Sequence, residues 1–290
     1  MISPEPPDAF TRLTDSATVW LGDLAQHEQT NVGVIGAEGS AIVIDANFAG
    51  AARRIHSGIK GRVAHQVNTH YHADHTLGNV VFVEAGATVI GAEGQRRELL
   101  EKGRKDAIDQ TGEAPDRLYP ATIEFSDRLT FHEHDLELVR IGAAHSGSDL
   151  VAWLPTDGVL FVGDLAVAWE HGNNFSDADA DIDGWIKALH LCIALEPRIV
   201  VPAHGRLTDA SILRQQLDFI EEAWSLANAV ADGTRSTADL TSHQTTSWFL
   251  DRHPAHAVDA DRFHAMSAAL LTAARRSRHQ SSERFAGRPT

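Results

Sequence analysis

Asn68-Thr69-His70-Tyr71-His72-Ala73-Asp74-His75 is the stretch on which the reading of this chain turns. It follows directly on Arg62–Val67, a short run that reads as a β-strand. Alternate residues of an extended segment point the same way, so His70 and His72 can share one metal ion. Asp74 and His75 come after the bend and project elsewhere, which suits a second ion. Imidazole is the commonest protein metal ligand, and the 290-residue chain carries 17 His beside 2 Tyr and 2 Met.

Outward from this string, short strands alternate with helices, which predicts an α/β architecture. Residues 19–24, 31–35 and 41–45 are expected as strands, the last two joined by the turn Ala37-Glu38-Gly39-Ser40. A helix is expected over 49–59, stopping at Lys60-Gly61. Downstream, 129–131, 136–141, 151–154, 159–162 and 199–201 read as strands, with a turn at Pro155-Thr156-Asp157-Gly158. A helix opens at Asp183-Gly184-Trp185, with Asp183 as its N-cap, and runs to about residue 195. From Asp209 the pattern turns helical, over roughly 210–231 and 259–276. A boundary is therefore placed at 208, between an α/β body (1–208) and a helical C-terminal extension (209–290). The extension ends in a basic tail with Arg275, Arg276, Arg278, Arg284 and Arg288 against Glu283. Metal-capable residues stand at four strand ends: after Val67, before Ser146, after Val162 and after Val201. Ligand sites of α/β proteins gather outside such ends.

The surrounding words are Val43-Ile44-Asp45, His145-Ser146-Gly147, Phe161-Val162-Gly163-Asp164 and Pro202-Ala203-His204-Gly205. With the central string, and in this order, they resemble the metallo-β-lactamase superfamily over about residues 17–208. The resemblance implies a four-layer αββα sandwich, with the site at one edge between two halves related by an approximate two-fold axis. Carried over residue by residue, it implies a first metal on His70, His72 and His145, and a second on Asp74, His75 and His204. Asp164 matches the bridging carboxylate, and Asp45 the buried aspartate that orients the histidine loop. Asp74 matches the residue that orients the nucleophile and relays a proton. The implied cofactor is two Zn2+, on an all-nitrogen-and-oxygen ligand set that iron or manganese also accepts. Cys192, the one cysteine, can form neither an internal disulfide nor a thiolate cage. The β-lactamase subclass with a cysteine ligand has Cys where this chain has Asp164, so that subclass is excluded.

Two metals about 3.5–4 Å apart can hold a hydroxide between them, since metal binding lowers the pKa of water from about 15.7 toward about 7. The expected function is hydrolysis of a small-molecule ester, lactone, thioester or amide by a metal-bridging hydroxide. Three alternatives stand beside it. One is a β-lactamase of the subclass lacking a cysteine ligand. The second is a mononuclear iron sulfur dioxygenase, which has a similar opening motif but holds one iron with two His and one Asp. The third is a non-catalytic binding protein on the same scaffold.

Loops carry specificity on a fixed scaffold. The candidate substrate loop is Trp169-Glu170-His171-Gly172-Asn173-Asn174-Phe175. Trp169 and Phe175 would form an apolar wall; His171, Asn173 and Asn174 would bind a carbonyl or carboxylate. No lysine lies in it, and Lys60, Lys102, Lys105 and Lys187 are all distant in sequence. That weighs against a β-lactamase, because some of those enzymes hold the substrate carboxylate with a lysine.

Other clusters take plainer readings. His132-Glu133-His134-Asp135 reads as a solvated hairpin turn. Asp177, Asp179, Asp181, Asp183 and Gly184 mimic the start of a calcium loop, but position 12 counted from Asp179 is His190 rather than Glu. A helix-capping acidic loop is expected instead. Cys192 lies on an apolar helix as a core residue, and His243, His253 and His256 as isolated surface histidines. A net charge of −15 disfavours nucleic acid, no apolar run is long enough for a membrane span, and the first residues lack a secretory pattern. A cytoplasmic protein with a small-molecule substrate is expected; the sequence leaves the oligomeric state open.

Overall fold

The computed structural model describes residues 10–36, 39–168, 179–253 and 260–286. The chain begins with β1 (Phe10–Arg12), β2 (Ala17–Trp20), β3 (Val32–Ile35) and β4 (Ser40–Ile44), then α1 (Ala49–Gly58) and β5 (Arg62–Val67). After the histidine string come α2 (Ala73–Thr76), α3 (Asn79–Glu84), β6 (Thr88–Ala92), α4 (Gln95–Thr111) and β7 (Ile123–Phe125). These seven strands form one sheet in sequence order. The pairings are antiparallel from β1 to β4 and parallel from β4 to β7.

The second sheet is built from β8 (Arg128–Phe131), β9 (Leu136–Gly142), β10 (Asp149–Leu154) and β11 (Val159–Gly163). The chain then passes through α5 (Ile182–Ala194) to β12 (Ile199–Pro202), which adds parallel to β11, giving the order β12-β11-β10-β9-β8. Helices α6 (Ser211–Ala231), α7 (Thr237–Thr241), α8 (His243–Arg252) and α9 (Ala260–Ala286) complete the described chain.

The central strands are apolar on both faces because both sheets are covered on both sides. Side chains alternate strictly between two layers. Ile42 and Ile44 of β4 face Leu150, Ala152, Leu154, Val159 and Phe161 between the sheets. Ala41 and Val43 turn outward onto Ala52 and Ile55 of α1 and Phe82 of α3. On the other sheet, Val151, Trp153, Leu160, Val162 and Val200 point outward onto Trp185, Leu189 and Cys192 of α5. The result is the expected αββα order. The outer core of the second sheet continues without a break into α6, α8 and α9 through Ile212, Leu213, Phe219, Phe249 and Phe263. Among the described residues, no helix is long and apolar enough to cross a membrane.

Two local expectations are corrected. The strand expected over 19–24 ends at Trp20, because Asp23 caps a 3-10 turn over Leu24–Gln26 by accepting from the Ala25 N–H at 2.9 Å. Helix α5 is capped by Asp181, whose carboxylate accepts from the Gly184 N–H, and not by Asp183. Asp183 lies in the first turn and accepts from the Trp224 indole of α6 at 2.9 Å. His132–His134 forms a 3-10 turn between the hairpin strands β8 and β9, as the hairpin reading predicts.

Candidate metal centre

The strand ends named from sequence meet at one edge of the sandwich. Asp45 follows β4 and the histidine string follows β5, parallel neighbours in the first sheet. His145 follows β9, Asp164 follows β11 and His204 follows β12 in the second. Asn31 fastens the two sheets here: its N–H donates to the Ala203 carbonyl, and its side-chain amide donates to the Pro202 and Gly205 carbonyls. The Leu150 N–H donates to the Thr69 carbonyl at 2.9 Å, which ties the histidine string to β10.

Three overlapping groups of ligand-capable atoms result, each with its atoms within 4.8 Å of one another: His70, His72 and His145; His70, His75 and Asp164; and Asp74, His75 and His204. In the first, His72 Nδ1 lies 2.9 Å from His70 Nε2 and 3.1 Å from His145 Nε2. One ring nitrogen cannot serve two such neighbours with a single proton or a single lone pair. In the third, His75 Nε2 and His204 Nε2 each lie 3.4 Å from Asp74 Oδ2. Asp164 spans the groups, with Oδ1 3.1 Å from His204 Nε2 and 3.4 Å from His75 Nε2, and Oδ2 3.5 Å from His145 Nε2.

This donor set fits metal ions. His75 Nε2 is fully buried without a hydrogen-bond partner although two carboxylates flank it. Nitrogen and oxygen atoms converge from six buried or nearly buried side chains plus Asp164, which is 12% exposed. Buried polar groups left this close together without good hydrogen bonds are costly unless a cation completes them.

The electrostatics divide the site. Burial, with His75 and His72 close by, holds the His70 pKa well below the ordinary imidazole value. Burial likewise outweighs Asp164 and pulls His145 down to about 3. Burial also acts against the charge on His75 and His204, but Asp74 and Asp164 overcome it and raise both; Asp45 adds to the effect at His75. Asp74 and Asp164 are buried too, yet the facing imidazoles hold both below the usual carboxylate range.

Behind these atoms lies a layer that the sequence reading found only in part. Asp45 has a left-handed backbone (φ 60°), a conformation that Asp tolerates better than most residues. Its carboxylate accepts from the Thr69 N–H at 2.8 Å and the Thr69 hydroxyl at 2.9 Å, and lies 3.1 Å from His75 Nδ1. Gly163, also left-handed (φ 54°), leaves room for Thr69: a Cβ there would meet its hydroxyl at 2.8 Å. The Thr30 hydroxyl donates to Asp74 Oδ2 at 2.7 Å, and the Gln29 carbonyl lies 3.1 Å from His204 Nδ1. Ser146 donates through its N–H and hydroxyl to Asp149, both at 2.8 Å, and shapes the turn behind His145. Trp185 stands edge-on to the His145 ring at 5.2 Å and donates to the Leu165 carbonyl. Thr30 and Gln29 carry no local signal, since they belong to a segment 40 residues upstream of the string.

The candidate substrate residues Trp169, His171, Asn173, Asn174 and Phe175 lie outside the described residues. So does His256, whereas His253 is buried and its Nε2 lies 2.9 Å from Glu222 of α6. Cys192 is buried in the outer core, and burial pushes its thiol up to about 12.

A family model described as metallo-beta-lactamase superfamily matches residues 26–204. A metallo-beta-lactamase type 2 from Bacillus sp. (strain 170) is 26% identical over 166 residues, 55% of this chain and 58% of that protein. One from Bacteroides fragilis is 34% identical over 85 residues, 28% of this chain and 34% of that protein. The chain thus spans little more than half the length of the first of these relatives and about a third of the second. Among solved structures, DIM-1 metallo-beta-lactamase superposes with a TM-score of 0.61 at 20% identity, covering 74% of this chain and 97% of the other. FIM-1 from Pseudomonas aeruginosa, in a mono-zinc form, gives 0.60 at 21% identity, with 74% and 95% covered. At such identities the likeness concerns the fold.

Proposed function

The chain belongs to the metallo-β-lactamase superfamily, a family of metal-dependent hydrolases, and from that premise we propose that it hydrolyses a small-molecule ester, lactone, thioester or amide at a dinuclear metal centre. The observation that carries this reading is the Asp164 carboxylate, which presents one oxygen to His75 and His204 and the other to His145. In this reading His70, His72 and His145 would hold one ion, Asp74, His75 and His204 would hold the other, and Asp164 would be shared between them. Zinc is the ion proposed. Residues 1–208 form the catalytic unit and residues 209–290 a helical extension of it.

When bound, the two ions supply a nucleophilic oxygen at neutral pH and polarise the scissile carbonyl. The chain's own residues do the rest. His70 and His145 stay neutral, so their lone pairs are available as ligands. Asp74 stays ionised, and the Thr30 hydroxyl fixes its Oδ2. Its carboxylate would orient the attacking oxygen and relay the proton that this oxygen still carries to the leaving group. Asp45 holds Thr69 and the His75 ring in place behind the ligands.

The test is a hydrolysis screen over β-lactams, acyl lactones, glutathione thioesters and aryl esters, before and after chelation. Activity on at least one class, lost with chelator and restored by zinc, is expected; turnover that survives complete metal removal refutes the reading. A second reading, a β-lactamase, is favoured by the names of the relatives, and the β-lactam arm of the same screen decides it. Elemental analysis separates the iron dioxygenase: two zinc ions per chain support hydrolysis, and one iron supports oxygen chemistry.

A further inference from the structure

Gln95, Glu98, Lys102 and Asp106 of α4 are spaced three or four residues apart and so share one face of that helix. Two of them hydrogen-bond the backbone of the histidine segment, and the other two meet side chains beside the candidate metal centre. Gln95 donates through its side-chain amide to the Asn68 carbonyl at 2.8 Å. Asp106 accepts from the N–H of Ala73, the residue after His72, at 2.6 Å. Glu98 accepts from the hydroxyl of Ser148, three residues past His145, and a Cβ on Gly147 would collide with the Glu98 carboxylate. Lys102 joins Glu98 to a residue that stands shortly before α5. Its ammonium donates to Glu98 at 2.7 Å and to Asp179, 77 residues away, at 2.8 Å. The same Asp179 oxygen accepts from the Tyr71 hydroxyl at 2.8 Å. Tyr71 stands between His70 and His72, its ring edge-on to that of His72 at 4.6 Å, and the Lys102 ammonium lies 5.3 Å from its ring centroid.

We propose that Lys102 is a positioning residue for the group His70, His72 and His145. It holds Tyr71, and with it the His72 ring, through Asp179, and it holds the turn behind His145 through Glu98. An i,i+4 Lys–Glu pair on an exposed helix face does little by itself. This lysine differs because Glu98 is buried, Asp179 is mostly buried, and the two carboxylates lead through Tyr71 to the His72 ring and through Ser148 to the turn after His145. It is also one of four lysines that look remote from the site in sequence, and tertiary packing brings it there. The inference rests on the metal-centre reading above.

The test is titration of metal-free protein with cobalt(II), followed by zinc competition against a chelator, on wild type, Lys102→Met, Lys102→Arg and Asp179→Asn. Lys102→Met is expected to keep the wild-type circular dichroism spectrum. It should bind the first equivalent about 10–100-fold more weakly, the usual cost of losing a partner behind a ligand, and shift the cobalt d–d bands. Lys102→Arg, which keeps the charge and can bridge two carboxylates, should recover most of the affinity and the wild-type bands. Unchanged affinity and bands in Lys102→Met overturn the proposal, whatever happens to its melting temperature. If that variant does not fold, Asp179→Asn, which changes almost no volume, carries the same expectation and the same refutation. Wild-type protein that takes up neither ion refutes the metal-centre reading and this inference together, so the two failures are distinguishable.

Discussion

The two ligand groups are built from similar residues but stand in different electrostatic states. His70, His72 and His145 form an all-imidazole group in which burial keeps His70 and His145 neutral. Asp74, His75 and His204 form a mixed group in which carboxylates raise both imidazoles against burial, so that these two hold their protons to higher pH than an ordinary imidazole. The difference teaches that neighbouring sites in one fold can bind metal under different terms. In the imidazole group, His70 and His145 offer lone pairs without first giving up a proton. The mixed group would compete with protons to higher pH, while its carboxylates make it the more attractive to a cation once those protons are gone.

The largest effect expected is for Asp164→Ala, which removes the oxygens shared by both groups. Activity should fall by more than about 100-fold, beyond the range for losing an outer partner, and metal analysis should show a loss from both sites. A loss confined to one site would break the symmetry assumed for Asp164. Acid should separate the groups next. As pH falls through the raised values of His75 and His204, protons occupy their ring nitrogens and compete with metal there. His70 and His145 stay neutral further down, His145 to about pH 3. Affinity of the mixed group should drop about tenfold per pH unit for each proton displaced, and that of the imidazole group less steeply, because His70 and His145 need displace none. Zinc titrations at several pH values check this, and equal losses from both groups contradict it.

Asp45→Asn removes the charge facing His75 Nδ1 and should weaken the mixed group about 10–100-fold. Thr30→Val removes the donor to Asp74 Oδ2 at little change in shape, and about tenfold weaker binding is expected, again in the mixed group. If either variant instead depletes the imidazole group first, the two groups are not independent in the way their contacts indicate.

The sandwich strands are legible in the sequence for a simple reason. Runs such as Val159–Gly163 are buried on both faces and so read as continuous apolar segments. Helix α4 is not legible. Its 17 residues include Gln95, Glu98, Lys102 and Asp106 on the face that meets the site, so the apolar stripe that announces a helix is thin. Much of its buried surface is polar and makes hydrogen bonds. The cap of α5 is not legible for a related reason. Asp181 and Asp183 both precede the apolar stripe, and only backbone geometry decides which carboxylate meets the Gly184 N–H.

At the candidate metal centre, the ligand-capable residues and their local spacing belong to the sequence itself. A strand, a bend and one helical turn are short-range geometry, and they keep His70, His72, Asp74 and His75 close to one another. What stands behind those ligands was decided only by tertiary structure. Thr30 reaches Asp74 across 44 residues, Lys102 reaches Asp179 across 77, and Tyr71 reaches Asp179 across 108. Contacts at such separations depend on how whole layers pack. No local pattern records them, because the residues that make them are ordinary polar groups until the fold removes them from water.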